Sequence, residues 1–163
     1  MKRRIVNPKS LAPPSGFSHG ILVEGGRLLF LAGQTGSDAA GRIEAPRDLV
    51  RQFDRALGNL EEVLRDAGGT LADVVKLNVF VRSRNDYVAK LKPLGKAFRA
   101  RFAGHYPAMA LFEVTALFQT DALVELEGIA VLGSKPARRT RSRYRTPSAR
   151  IPPSRTSARA GRR

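Results

Sequence analysis

The sequence predicts an α+β domain: one mixed β-sheet with two helices packed on one face. Three observations carry that prediction. The elements follow the order β-β-α-β-α-β-β, and a sheet with both helices on one side is the economical way to bury them. Residues 47–67 place Leu49, Phe53, Leu57, Leu60, Leu64 and Ala67 at steps of three and four, a single apolar helical stripe. Residues 106–132 hold two apolar strands that contain three glutamates, Glu113, Glu125 and Glu127.

Residues 1–20 look irregular, broken by Pro8, Pro13, Pro14, Gly16 and Gly20. Two apolar runs, 21–24 and 27–32, flank Gly25-Gly26, which predicts a β-hairpin with a turn of positive φ. Gly33-Gln34-Thr35-Gly36 follows, then a polar loop to about Pro46, long enough to border a site. The first helix stops at Gly68-Gly69. Residues 74–82 alternate as a strand, with Val75, Leu77, Val79 and Val81 on one side. Residues 86–101 read as a second helix that Pro93 kinks or restarts. Strands at 108–115 and 123–132, joined by a short polar turn, close the domain. On the first of them Met109, Leu111, Glu113 and Thr115 share a face, and Glu125 and Glu127 share a face of the second. The sheet face away from the helices is substantially apolar, which predicts self-association.

A chain of 163 residues buries one good core. The domain is expected over residues 1–133, followed by a basic tail over 134–163. The net charge of +15 lies mostly in that tail, which has 11 Lys/Arg and no acid; 18 basic and 14 acidic residues precede it, a balance of +4. The tail has almost no large apolar residue and reads as disordered. Its two readings are a weak, non-specific nucleic-acid contact through counterion release, or a solubilising extension. Only Tyr144 in it could stack on a base.

The chain has no cysteine and two histidines, which excludes disulfides, a thiol nucleophile and a histidine-rich metal cluster. No metal or other cofactor is expected. The basic N-terminus is followed by no apolar segment, and no run approaches membrane-spanning length, so the expectation is a cytoplasmic protein without a membrane partner. There is no P-loop, GxGxxG, GxSxG elbow or zinc-ligand spacing, and neither the paired aromatics nor the GXXG clamp of common RNA-binding folds. What remains is the three glutamates. They lie on a wet face or pair with basic groups, or one of them lines a small-molecule site.

The chain resembles the RidA family, also called the YjgF or liver perchloric-acid-soluble protein family. The resemblance covers roughly residues 8–132. It rests on Gly16-Phe17-Ser18-His19, on Leu31-Ala32-Gly33-Gln34, and on the run DVVKLNVFV from Asp73 to Val81. Tyr106-Pro107-Ala108 and the run VELEGIAV from Val124 to Val131 complete it. The resemblance implies a chorismate-mutase-like fold and a homotrimer whose three sheets form an inner barrel, with small-molecule sites in clefts between subunits. It also implies hydrolysis of reactive 2-imino and 2-enamino acids to 2-keto acids and ammonia.

Several positions depart from the family pattern. Met109 stands where active members carry the substrate-binding arginine, and Leu111 where they carry a cysteine. Ala32 replaces a hydroxyl residue and Phe17 a tyrosine, while the family's helix asparagine falls at about Lys92 or Leu91. Glu125 and Gly33 are retained. The resemblance thus implies a branch without that arginine, whose ligand is less anionic or more apolar than an imino acid. Glu125 is the candidate catalytic residue; Phe17, His19, Ala32, Gly33, Met109 and Leu111 are candidate ligand contacts, with His105 a further polar group. Three readings stay open: an imine or enamine hydrolase, a metabolite-binding trimer without turnover, and RNA association through the tail.

Overall fold

The computed structural model describes residues 1–133; the expectations for 134–163 lie outside them. The long helix is α1 (Leu49–Asp66). Asp48 caps its start by accepting from the backbone N–H groups of Val50 and Arg51, at 3.0 and 3.1 Å. Its predicted stripe is buried from Leu49 to Leu64. The second helical stretch is divided at Lys90 into α2 (Arg84–Ala89) and α3 (Leu91–Phe102). Pro93 sits in the first turn of α3, where its missing N–H costs no hydrogen bond.

The strands are β1 (Lys2–Val6), β2 (Gly20–Glu24), β3 (Arg27–Thr35), β4 (Val74–Val81), β5 (Ala108–Glu113) and β6 (Val124–Leu132). The main sheet runs β3-β6-β4-β5, with β5 parallel to β4 and the other pairs antiparallel. The sheet is mixed because α2 and α3 form the crossover that returns β5 alongside β4. β6 then fills the gap between β3 and β4, so β5 and β6 are not sheet neighbours as a short connecting turn suggests.

Two further expectations are corrected. Residues 2–6 are a strand, and β2 pairs with it in a separate two-stranded sheet, so β2 and β3 do not make a hairpin. The turn chemistry between them does occur: Gly25 and Gly26 have φ of 72° and 104°. Arg3 ties β1 to the main sheet by donating to Asp73 and to the carbonyls of Ala72 and Val131. In β4 an irregularity between Val74 and Lys76 shifts the register, so Val74 rather than Val75 enters the core.

Helices α1 and α3 cover one sheet face. Arg101 of α3 forks onto Asp54 at 2.7 and 3.0 Å and reaches Glu61 at 3.0 Å, joining the two helices at their outer edge. Among the described residues nothing covers the other sheet face. Leu28 and Phe30 on β3 are 64% and 73% exposed, and Phe112 on β5 is 45% exposed. Among the described residues no helix is long and apolar enough to cross a membrane.

Gln52 is the polar residue at the centre of this packing. It is fully buried in α1. Its Nε2 donates to the carbonyls of Ala45 and Asp121, each at 3.1 Å, and its Oε1 accepts from the Leu123 N–H at 2.8 Å. One amide thereby fixes the loop before α1 and the loop before β6. Gly36 makes room for it, since a Cβ there would lie 2.7 Å from the Gln52 Cα.

Replacing Gln52 by alanine strands an N–H and two carbonyls in the interior, so chemical denaturation should show a loss of about 2–4 kcal/mol. The Arg101 guanidinium hydrogen-bonds Asp54 and holds its carboxyl below its ordinary value of 3.8. That stabilisation is present above the ordinary value and is lost as pH falls through the lowered native one. The stability gap between wild type and Asp54→Asn, under about 1 kcal/mol for so exposed a pair, should therefore close in acid and persist at neutral pH.

Candidate functional site

The three glutamates have different fates. Glu113 accepts the Arg84 backbone N–H at 2.8 Å, at the start of α2. Glu127 accepts from the Asn78 side-chain amide at 3.0 Å across the sheet. Glu125 has no hydrogen-bond or ion-pair partner among the described residues. It projects from β6 on the uncovered face, opposite Phe80 of β4 and Thr35 of β3. Phe80 stacks on Phe112, with ring centroids 5.4 Å apart, and walls one side of it.

The Glu125 carboxylate lies directly on Gly33. A Cβ at Gly33 would overlap Glu125 Oε1. The register of β3 against β6 breaks between Leu31 and Gln34, a bulge that places Ala32 and Gly33 beside the carboxylate. The bulge is held from behind by α1, where Asn59 donates to the carbonyls of Thr35 and Ser37, each at 3.0 Å. Thr35 in turn bonds Gln119 of the loop before β6. The result is a partner-free carboxylate beside a backbone with no intervening side chain. Such a group can hold a water or accept its proton.

The remaining candidates lie elsewhere. Phe17, Met109 and Leu111 line a cavity of about 520 Å³ on the helix side of β5, bounded by α2 and α3. Phe17 is brought there because Ser18 bridges to Ala108 and bonds the Tyr106 carbonyl at 2.7 Å, adding residues 17–18 along the outer edge of β5. The cavity is mostly apolar, floored by Phe53, Leu94 and Phe98. Within one chain, then, Glu125, Gly33 and Ala32 stand on one face of the sheet, and Phe17, Met109 and Leu111 on the other.

His19 belongs to neither half. Its ring bonds the Ala12 carbonyl at 2.9 Å and packs edge-on against Phe17, holding the N-terminal segment. His105 bonds the Val74 carbonyl at 2.6 Å. No group of three His, Asp or Glu side chains among the described residues could hold a metal ion.

Two cavity residues escape the sequence reading. Tyr87 of α2 packs edge-on against Phe53, and burial pushes its phenol above the ordinary value, so it remains a neutral donor. Arg99 of α3 lies at the rim. The one sequence signal for it is Gly95, a residue disfavoured inside a helix, placed four residues earlier on the same face.

Comparison with known proteins identifies the relatives of this arrangement. The family model described as Endoribonuclease L-PSP matches residues 7–132. A goat (Capra hircus) protein named 2-iminobutanoate/2-iminopropanoate deaminase is 32% identical over 133 residues, which span 82% of this chain and 92% of its own. Among solved structures, a Rid-family protein of unknown function from Yersinia pestis is 38% identical with a TM-score of 0.73, covering 81% of this chain and 100% of that one. RidA from the Antarctic bacterium Psychrobacter is 29% identical with a TM-score of 0.58, covering 78% and 98%.

Two glycines on these strands should respond differently to alanine. At Gly33 the obstacle is the mobile end of Glu125, so Gly33→Ala should cost under about 1 kcal/mol while displacing the carboxylate. At Gly128 it is the Lys76 backbone carbonyl, which has nowhere to move, so Gly128→Ala should cost more than about 2 kcal/mol. Paired denaturation curves check the contrast.

Proposed function

The chain belongs to the RidA family, and from that premise we propose that it hydrolyses a small imine or enamine, with Glu125 holding the attacking water. Water adds across the C=N bond to give a carbinolamine. Loss of the amine as ammonia then leaves a carbonyl, so the net change is one water consumed and one ammonia released. Glu125 takes a proton from the water as it attacks and returns it to the departing nitrogen. The observation that supports this most is the difference among the three glutamates: two are bonded to the fold, and the third is free against the bare backbone of Gly33.

The full cleft in this proposal forms between copies of the chain. Three sheets turn their uncovered faces inward as a homotrimer, which buries Leu28, Phe30 and Phe112. The Glu125 face of one copy then meets the cavity edge of a neighbour. Met109 and Leu111 make that edge apolar, so the substrate is more apolar than the imino acids in the names of its relatives. A second reading, a trimer that binds such a metabolite without turnover, is favoured by Met109: a thioether cannot fork onto a carboxylate as arginine does.

Imines generated in the assay from amino acids of increasing side-chain size, followed by ammonia release, decide between these readings. Glu125→Gln should lower the rate by about a hundredfold or more while leaving the melting temperature unchanged. Equal rates in wild type and Glu125→Gln would remove Glu125 from the mechanism. Saturable binding with no ammonia from any imine would favour the second reading.

A further inference from the structure

The cavity beside β5 has an uneven charge. Of the described residues that line it, Arg99 alone carries a charge, and none is an acid. The Arg99 guanidinium has no hydrogen bond or ion pair among the described residues. Arg101, two residues on, is held by Asp54 and Glu61. Arg99 is also seated: its Nη1 lies 3.1 Å from where a Cβ on Gly95 would be, so the glycine leaves the space in which the guanidinium folds back along α3. Gly95 lines the same cavity.

The rest of the lining describes the body of a ligand. Phe98 and Tyr106 stack with centroids 5.7 Å apart and present a flat apolar wall. Met109 and Leu111 continue it along the strand. A volume of about 520 Å³ lies within the range of small-molecule sites and admits an aromatic ring with a short chain. Tyr87 adds a neutral hydroxyl, with no hydrogen bond to a described residue, at the α2 side.

We propose that Arg99 is the anion-binding group of this cavity, and that the cavity takes a small carboxylate with an apolar body the size of an aromatic ring. The positive charge that Met109 removes from the strand is supplied from the helix, one wall away. Of the expected ligand, less anionic or more apolar on the strength of Met109, Phe17 and Leu111, this proposal keeps the larger apolar part and restores the anionic group. This inference rests on reading the cavity as the substrate side of the cleft, but it concerns binding and does not require turnover.

Isothermal titration calorimetry of the full chain with hydrocinnamate and with its primary amide, which differ in charge and share a shape, tests it. Wild type should bind the carboxylate roughly tenfold or more tightly than the amide, the difference that a charge-assisted fork provides. Arg99→Gln should erase that preference while keeping the affinity for the amide, and Arg99→Lys should retain part of it. Glu125→Gln, which stops the proposed hydrolysis, should leave the preference intact, so the two readings fail separately. Equal affinities in wild type, a preference that survives Arg99→Gln, or no saturable binding of either compound would overturn the proposal.

Discussion

A sheet with helices on only one side leaves its other face to be covered by something else, and this constraint governs the molecule. It falls most heavily on β6, which lies between β3 and β4. Val124, Leu126, Ala130 and Leu132 point to the helices and are buried. Glu125, Glu127 and Ile129 point the other way, toward Phe30, Phe80 and Phe112. A face with three exposed or half-exposed phenylalanines and two glutamates is poorly suited to water as a whole and to a dry core as a whole. It fits an interface between identical chains, with the glutamates at positions where polar groups are wanted.

That constraint also explains why the site residues fall into two groups. The carboxylate needs the uncovered face, where Gly33 lets it lie on the backbone without a competing side chain. The apolar cavity needs the helix face, where β5 at the sheet edge meets α3. Within the described residues of one chain the two groups stay on opposite faces, and the proposed homotrimer is what would bring them together. Buried Gln52 sets the loops that frame the carboxylate side, since it bonds both the loop leaving β3 and the loop entering β6. The chemistry proposed for it is small: one positioned water, one proton carried, and one charge to orient the ligand.

Much of this is legible in the sequence because it is periodic. The α1 stripe from Leu49 to Leu64 and the alternation of β6 from Val124 to Glu127 follow from local spacing and are seen in the burial. The pattern marks three glutamates in apolar strands without choosing among them, and Glu125 and Gly33 stand out only through the family resemblance. Strand order is not periodic. Nothing in residues 108–132 states that β6 inserts between β3 and β4 rather than pairing with β5, because pairing partners are chosen by the packing of the whole sheet. The same holds for β1, whose five residues are extended because β2 and Arg3 give them partners. The bulge that exchanges Val75 for Val74 is a one-residue event that alternation conceals. Arg99 looks like one more basic residue in the last turn of a helix, a place that favours cations anyway. Its position beside the cavity exists only once α3 is packed on β5.

The proposed cleft requires the uncovered sheet face to be the inside of an oligomer. Native mass spectrometry of the full chain at micromolar concentration tests it directly. A homotrimer gives a dominant species of three times the 17.8 kDa chain mass. A dominant monomer, with Phe30 and Phe112 left in water, would contradict it.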